Sequence, residues 1–203
     1  MQALYITIRR GATTAIPIRI ESSTLNYTDI SSMTRTSPLR VTAPAHGIPD
    51  GWRVAIQNAG GMTQLNTPQD SVRDADLRRV TKVDANTLSF DGVNSSAWRA
   101  YTSGGQLAWY APFDLSSYDS ARMDVRDAVD GALLDAYNTA DGTLEIDVEN
   151  AVVWLNLSVS KTLLLAAGRH VFDIELIKGS GEVDALCSAD STLTVWPEIT
   201  TST

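Results

Sequence analysis

The chain has little of what disulfide-bonded proteins and zinc enzymes need. Its 203 residues contain one cysteine, Cys187, and two histidines, His46 and His170. A single cysteine excludes an intrachain disulfide and favours a thiol-reducing compartment. A zinc site needs about four histidine, cysteine or carboxylate ligands, which two distant histidines and one cysteine do not supply. We therefore predict no metal site and no cofactor.

Long apolar runs are also missing. No stretch approaches the roughly 18 apolar residues of a membrane helix. The first residues, MQALYITIRRGATT, lack the apolar run and small-residue cleavage site of a signal peptide, so we expect neither a signal peptide nor a membrane partner. Cys187 lies in the alternating run VDALCSAD, which predicts a buried small apolar residue rather than a nucleophile.

Charge is distributed unevenly along the chain. Residues 1–35 and 36–108 have net charges of +2 and +1, whereas residues 109–203 carry five basic and sixteen acidic side chains, a net of −11. Such a segment repels phosphate backbones, which argues against a nucleic-acid partner.

The most acidic run, DGTLEIDVEN at residues 141–150, alternates charged and apolar side chains. The acidic positions are Asp141, Glu145, Asp147 and Glu149, and the apolar ones are Leu144, Ile146 and Val148. This period of two predicts a strand with one apolar face and one solvated acidic face. A calcium loop is the alternative, although such loops use a glycine-bent backbone rather than straight alternation.

Alternation with a period of two dominates the rest of the chain. The alternating runs are LYITIRR, AIPIRIE, ARMDVRD, VVWLNLSVS, HVFDIELIK and STLTVWPE. Turn signals at Asp130-Gly131, Asp141-Gly142 and KGSGE separate them, and strands at about ten-residue spacing predict an antiparallel β-sandwich. Pro17 indicates that its own run is an edge strand or that Pro17 lies among the first residues of the strand, because proline cannot donate a backbone hydrogen bond.

One short segment has helical character. The run SKTLLLAAG, residues 160–168, predicts one or two helical turns, with Ser160 as the N-cap and Gly168 as the stop.

The middle of the chain differs in composition. Residues 36–108 are rich in glycine, proline, asparagine and threonine, and their apolar runs are short. The run RRVTKVDANTLSFDG predicts a hairpin that turns at residues 84–86. We therefore predict that this segment folds as a small β module of its own.

Two stretches of this middle segment carry a resemblance to a known family. VTAPAHGIPDGWRVAIQNAGGMTQLN, followed by VTKVDANTLSFDGVNSSAWRAYTSGG, resembles the small β-barrel repeat that bacteriophage tail and virion proteins share with a domain of ubiquitin-activating enzymes. The flanking YITIRRGATTAIPIRI and FDLSSYDSARMDVRDAVDGALL resemble the opening strands of small immunoglobulin-like phage structural proteins. The chain departs from that pattern in carrying the middle module between these strands, and in having Ser117 where glycine is common.

The resemblance implies an all-β fold: a discontinuous immunoglobulin-like antiparallel sandwich with an inserted small β-barrel. The sandwich would comprise residues 1–35 and 109–203, and the barrel residues 36–108. The implied function is that of a non-enzymatic structural component of a tailed-phage virion, in the tail, baseplate, collar or fibre attachment. Its partners would be other virion proteins and copies of itself in a symmetric assembly. It would be made in the bacterial cytoplasm and located in the virion.

His46 is the residue of the middle segment that most invites a catalytic hypothesis. It precedes Gly47 and Pro49-Asp50-Gly51, which are turn formers. A catalytic histidine needs a nucleophile that it serves or a partner that orients it, and the chain has no Gly-x-Ser-x-Gly stretch. We therefore predict no catalytic residue, and a His46 ring that hydrogen-bonds across a turn.

The five tryptophans divide into two groups. Trp52 and Trp154 are predicted to lie in the core, and Trp98, Trp109 and Trp196 to be exposed. The candidate interaction residues are Trp98, Tyr101, Trp109 and Tyr110. They either pack the two modules together or form a contact patch for a neighbouring subunit, where tryptophan and tyrosine are favoured.

A second function from a different class stays open. Sandwiches with exposed tryptophan and aspartate bind sugars, and paired carboxylates cleave them when their spatial separation is suitable. The alternative is therefore a virion-borne carbohydrate-binding or glycan-hydrolysing module that contacts the host surface.

Overall fold

The computed structural model describes residues 3–67, 72–188 and 190–198. Strands account for 48% of it, and among the described residues there is one α-helix. The predicted all-β class is therefore confirmed. No helix in the described ranges is long and apolar enough to cross a membrane.

Seventeen strands and one α-helix make up the regular structure of the described chain. In chain order they are β1 (Tyr5–Arg9), β2 (Thr14–Arg19), β3 (Glu21–Asp29), β4 (Ser32–Met33), β5 (Leu39–Thr42), β6 (Arg53–Gln57), β7 (Arg78–Arg79), β8 (Thr81–Lys82), β9 (Thr87–Phe90), β10 (Gln106–Pro112), β11 (Tyr118–Arg126), β12 (Leu133–Asn138), β13 (Leu144–Asp147), β14 (Val152–Leu157), α1 (Val159–Leu164), β15 (Gly168–Lys178), β16 (Val183–Ala185) and β17 (Thr192–Trp196).

The chain divides into two compact units. The first combines Met1–Ile20 with Asp114–Thr203, and the second is Glu21–Phe113. The second unit is longer at both ends than the predicted insert of residues 36–108, because β3 pairs with β10 inside it. The domain boundaries inferred from the resemblance stay a prediction.

The first unit contains two sheets. One has the strand order β1-β17-β15-β11-β12, with β16 added beside β15, and the other has the order β13-β14-β2. All of these pairs are antiparallel except β1 with β17. Alternate side chains of the strands are buried, as with Ile6 and Ile8 on β1 and Met123 and Val125 on β11. The predicted alternation thus corresponds to real core and solvent faces.

Two local predictions in the first unit are confirmed. Pro17 lies on β2, which is an edge strand of its sheet, so its missing N–H leaves no gap in an inner ladder. The middle of the acidic run forms the strand β13, with Leu144 buried and Glu145 exposed, whereas Asp141 and Glu149 lie outside the strand. Val148, just beyond this strand, is exposed rather than part of an apolar face.

The helix differs from its predicted position. It begins after Ser158, whose side chain accepts a hydrogen bond from Lys161 N at 3.4 Å. Ser158 has the extended backbone that an N-cap requires, whereas Ser160 already lies inside the helix. The helix ends at Leu164, and Gly168 opens β15 instead of stopping the helix.

The second unit also contains two sheets, with strand orders β3-β10-β6-β7 and β4-β5-β9-β8. The predicted hairpin is present: β8 pairs with β9, and Asp84 Oδ1 accepts a hydrogen bond from Asn86 N at 2.7 Å in the turn between them. Both sheets contribute to one hydrophobic core, in which Leu39, Leu88 and Leu107 are fully buried.

The tryptophans follow the prediction only in part. Trp52 is buried and Trp196 is exposed, as predicted. Trp109 is wrongly predicted as exposed: β10 places it on the core side together with Leu107, and it is 7% exposed. Trp98 and Trp154 are both half-buried, so Trp154 is less covered and Trp98 more covered than predicted.

The two buried tryptophans of the second unit differ in one hydrogen bond, and this difference generates a stability prediction. Trp52 Nε1 donates to Tyr110 O at 2.7 Å, whereas Trp109 Nε1 has no hydrogen-bond partner among the described residues. Replacing either by phenylalanine removes a similar apolar area, but only Trp52→Phe also removes a hydrogen bond. We expect Trp52→Phe to lower the free energy of unfolding by about 1 kcal/mol more than Trp109→Phe does.

Urea denaturation of the two variants and the parent chain measures this difference. Equal losses, or a larger loss for Trp109→Phe, would contradict the hydrogen-bond assignment.

Candidate functional site

The loop between β5 and β6 holds His46 as a structural residue. The ring is buried; its Nδ1 accepts a hydrogen bond from Ile48 N at 2.9 Å, and its Nε2 lies 3.2 Å from Asp84 O. An acceptor Nδ1 places the proton on Nε2, which then donates to the carbonyl. Asn86 Oδ1 fastens the same loop by accepting from Ala45 N at 2.9 Å. The prediction that the ring hydrogen-bonds across the turn is confirmed.

The electrostatic surroundings of His46 favour its neutral form. Burial lowers the pKa of the imidazole below its ordinary value, the nearby Lys82 lowers it further, and the hydrogen bond to Asp84 opposes both. A neutral ring is also what the two hydrogen bonds require, since a charged imidazole cannot accept from Ile48 N.

Two glycine-rich stretches of the motif bring backbones into contact. Gly60 N donates to Ser103 O at 2.8 Å, and Thr102 N donates back to Gly60 O at 3.0 Å. A Cβ at Gly61 would lie 2.2 Å from Ala100 O, and Gly61 also has a positive φ of 75°. Only glycine fits this position, so these stretches join loops to each other.

Three of the four candidate interaction residues belong to the core of the second unit or pack against it. Trp109 belongs to the core of the second unit, and Trp98 and Tyr101 pack against that core while staying half-buried. The Tyr101 hydroxyl lies 2.9 Å from both Ile30 O and Gly104 O. Tyr110, also half-buried, follows Trp109 on β10, so its side chain projects from the opposite face of the sheet. A contact role for this group stays a prediction.

The sequence analysis did not identify a second group, on the outward face of β11 and β15 in the first unit. The side chains line open grooves, the larger about 420 Å³ in volume. The charged members are Arg122, Asp124, Arg126, Asp173 and Glu175. In the sequence, these residues are the polar positions of the alternating runs ARMDVRD and HVFDIELIK. Alternation places those positions on the solvent side of the predicted strands.

Strand pairing sets the order of charges in this group. Arg122 lies opposite Glu175 and forms an ion pair with it, whereas Asp124 lies directly opposite Asp173. Arg126 Nη2 binds Asp124 Oδ2 at 2.9 Å. Two carboxylates at opposite positions have Cβ atoms about 5 Å apart, and like charges there are destabilising.

This arrangement of charges affects the pKa of the Asp173 carboxyl. Partial burial raises the pKa of its carboxyl, and the neighbouring Glu175 and Asp124 raise it further. A carboxyl with a raised pKa next to an ion-paired carboxylate has the chemistry of an acid and base pair.

Among the described residues, the single cysteine and the potential metal ligands do not form a further candidate site. The Cys187 thiol is buried and its burial raises the pKa, which confirms the small apolar residue that the sequence predicted. In the part of the chain that the structure describes, no group of three or more histidine, cysteine or acidic side chains is arranged to hold a metal ion.

Comparison of the chain with models of known protein families and with curated protein sequences yields no match.

The lowered pKa of His46 leads to a pH prediction. The unfolded chain takes up a proton near pH 6.5, while folded His46 does so only at lower pH. The stabilisation from neutral His46 is therefore complete above pH 6.5 and is lost as the pH falls below it. We expect the difference in unfolding free energy between the parent chain and His46→Gln to shrink as the pH falls from about 7.5 to about 5.

A proton NMR titration of the two histidine rings tests the premise directly. His46→Gln identifies the His46 signal, because one of two ring signals disappears. A titration midpoint at or above 6.5 for that signal would refute the buried neutral ring.

Proposed function

We propose that this chain is a non-enzymatic structural component of a tailed-phage virion, located in the tail, baseplate, collar or fibre attachment. In this proposal the first unit is an immunoglobulin-like sandwich, and the second carries the small β-barrel of residues 36–108. The chain acts through contacts with other virion proteins and with copies of itself. It is made in the bacterial cytoplasm and reaches its place by assembly.

One observation carries the proposal: the residues that resemble the phage β-barrel repeat have fold-building roles in the second unit. His46 closes a turn, Asn86 fastens it, and Gly61 admits a neighbouring backbone. The densest motif of the sequence therefore supports a scaffold. A motif used for architecture leaves the function of the unit to its surfaces.

Within this proposal the aromatic group of the second unit supports a contact surface. Trp98 and Tyr101 are half-buried and contribute the exposed part, and Trp109 supports it from the core, whereas Tyr110 lies on the opposite face of the sheet. Aromatic residues with this mixture of packing and exposure dominate the energetics of many protein interfaces.

The experiment is incorporation of the chain into purified phage particles. We expect quantitative mass spectrometry to find several copies per particle, and an amber mutation in its gene to leave particles defective. Absence of the chain from purified infectious particles would refute the proposal.

Tryptophan variants test the contact surface separately. Trp98→Ala should reduce incorporation, whereas Trp154→Ala, which truncates a half-buried tryptophan of the first unit, should not. Thermal melts of both variants control for folding. Equal incorporation of the two folded variants would exclude the aromatic group as the contact.

The pairing of Asp124 with Asp173 favours a second candidate function, hydrolysis of a surface glycan. Asp173, with its raised pKa, would donate a proton to the leaving oxygen, and Asp124 would serve as the second carboxylate.

A panel of bacterial surface polysaccharides with labelled reducing ends tests this alternative. If a glycan is cleaved, Asp173→Asn should lower the rate by at least about 100-fold. Asp119→Asn removes an exposed carboxylate of β11 outside the groove and should leave the rate unchanged. No cleavage of any glycan, or equal rates in the two variants, would reject the alternative.

A further inference from the structure

The outward face at one end of the first unit's larger sheet is aromatic and basic. On β1 the side chains of Tyr5, Thr7 and Arg9 point to solvent because Ile6 and Ile8 are buried. Arg9 pairs with Trp196 on β17, which places the two residues side by side on the same face of the sheet. Neighbouring strands lie about 4.8 Å apart, so the two side chains are adjacent on one surface.

A second arginine completes this face from the next strand. Arg169 on β15 pairs with Thr194, which lies two residues before Trp196 on β17. A diagonal neighbour of this kind stays within reach of a long side chain. Arg9 and Arg169 therefore flank Trp196. We call the surface formed by Tyr5, Arg9, Arg169 and Trp196 the basic face.

The aromatic side chains of the basic face are unusually open. Tyr5 is 74% exposed and Trp196 is 61% exposed, whereas the buried tryptophans of the second unit are covered by their own sheets. A large indole this exposed beside two cations is typical of a surface that another molecule covers.

Charge indicates what kind of molecule covers it. The residues of the first unit, 1–20 and 114–203, include eight basic and sixteen acidic side chains. Within the described ranges neither Arg9 nor Arg169 forms an ion pair, although carboxylates outnumber cations in the unit. The basic face therefore fits an acidic partner surface.

The same unit presents such a surface at its other sheet. The strand β13 lies at an edge of the order β13-β14-β2, and Val148 follows it with 49% of its surface exposed. Glu145 and Glu149 are exposed on either side of Val148 and form no ion pair with described residues. We call Glu145, Val148 and Glu149 the acidic edge.

The two surfaces have complementary patterns. The basic face has an exposed indole flanked by two cations without an ion pair, and the acidic edge has an exposed valine next to carboxylates without an ion pair, within the described residues. Asp147 accepts two hydrogen bonds from Asn150, at 2.9 and 3.0 Å, and Glu145 accepts one from Asn156 at 3.4 Å, so these amide groups leave the negative charge of both carboxylates in place.

We propose that the basic face of one copy binds the acidic edge of a second copy. The contact is heterologous, because the two surfaces are different parts of the chain, and repetition of such a contact produces a ring or a filament. The inference rests on the proposed function for its setting, a particle that contains several symmetric copies. Burial of Trp196 supplies apolar area, and the arginines set the register.

Two charge-reversal variants of the full chain test this contact. The first variant carries Arg9→Glu and Arg169→Glu, which reverse the charge of the basic face and leave the acidic edge intact. The second variant carries Glu145→Arg and Glu149→Arg, which reverse the charge of the acidic edge and leave the basic face intact. Sedimentation velocity should show self-association of the parent chain, and each double variant should associate at least about tenfold more weakly. The control variant carries Arg78→Glu and Lys82→Glu. It has the same charge change as the basic-face variant, but on exposed residues of the second unit, so association should be unchanged.

The decisive sample is a mixture of the two double variants. Each retains one intact surface of opposite kind, and the two reversed surfaces are again opposite in charge, so an equimolar mixture should associate more strongly than either variant alone. The parent chain, with both surfaces intact, should continue to larger species as concentration rises.

Three results would overturn the inference. The parent chain could stay monomeric up to about 1 mM, the double variants could associate like the parent, or their mixture could associate no more strongly than either variant alone. Binding of the basic face to an anionic polymer such as heparin, without self-association, would identify a different occupant and also overturn it.

These outcomes separate this inference from the proposed function. A chain that forms the head-to-tail contact in solution but is absent from phage particles refutes the proposed function alone. A chain that is present in particles but fails the mixture experiment refutes the contact alone.

Discussion

Backbone pairing between distant parts of the chain is the interaction on which the first unit depends. Residues 3–20 contribute β1 to one sheet and β2 to the other, and both strands pair with strands formed more than 130 residues later, β17 and β14. Without these pairs the two sheets would lose an edge each, and Ile6, Ile8 and Ile18 would lose their cover. Such non-local pairing closes a large loop before it gains any contact, which makes it the slow and cooperative part of folding.

The second unit is built from many short strands, which its loops join. Strands of two to nine residues bury little area each, so its loops carry part of the cohesion. His46 and Asn86 connect the turn after β5 to the turn after β8, and Gly61 brings the loop after β6 against residues 100–103. The residues that resemble the phage repeat are those that hold these loops, which is why a motif rich in histidine, aspartate and glycine serves architecture here.

Charge in the first unit follows the pleat of its strands. Inward positions are apolar, so carboxylates and guanidiniums collect on outward positions, and register decides which of them meet. At Arg122 and Glu175 register joins opposite charges, and at Asp124 and Asp173 it joins like charges. At Arg9 and Arg169 it leaves cations beside an exposed indole. The net negative charge of the unit therefore predicts the charge pattern of its surface less well than the pairing of its strands does.

The sequence by itself determined the features that depend on neighbours along the chain. Alternation predicted β1, β11, β14 and β15; Pro17 predicted an edge; and turn formers around His46 and at residues 84–86 predicted loops. The period of the apolar residues and the residue types of the turns are local properties, so they can be recognised in the sequence before the fold is known. Tertiary structure alone decided which strands pair, and hence that Asp173 lies opposite Asp124, that Trp196 lies beside Arg9, and that Trp109 is buried. These outcomes depend on register between residues far apart in sequence, and a one-residue change of register would reverse them.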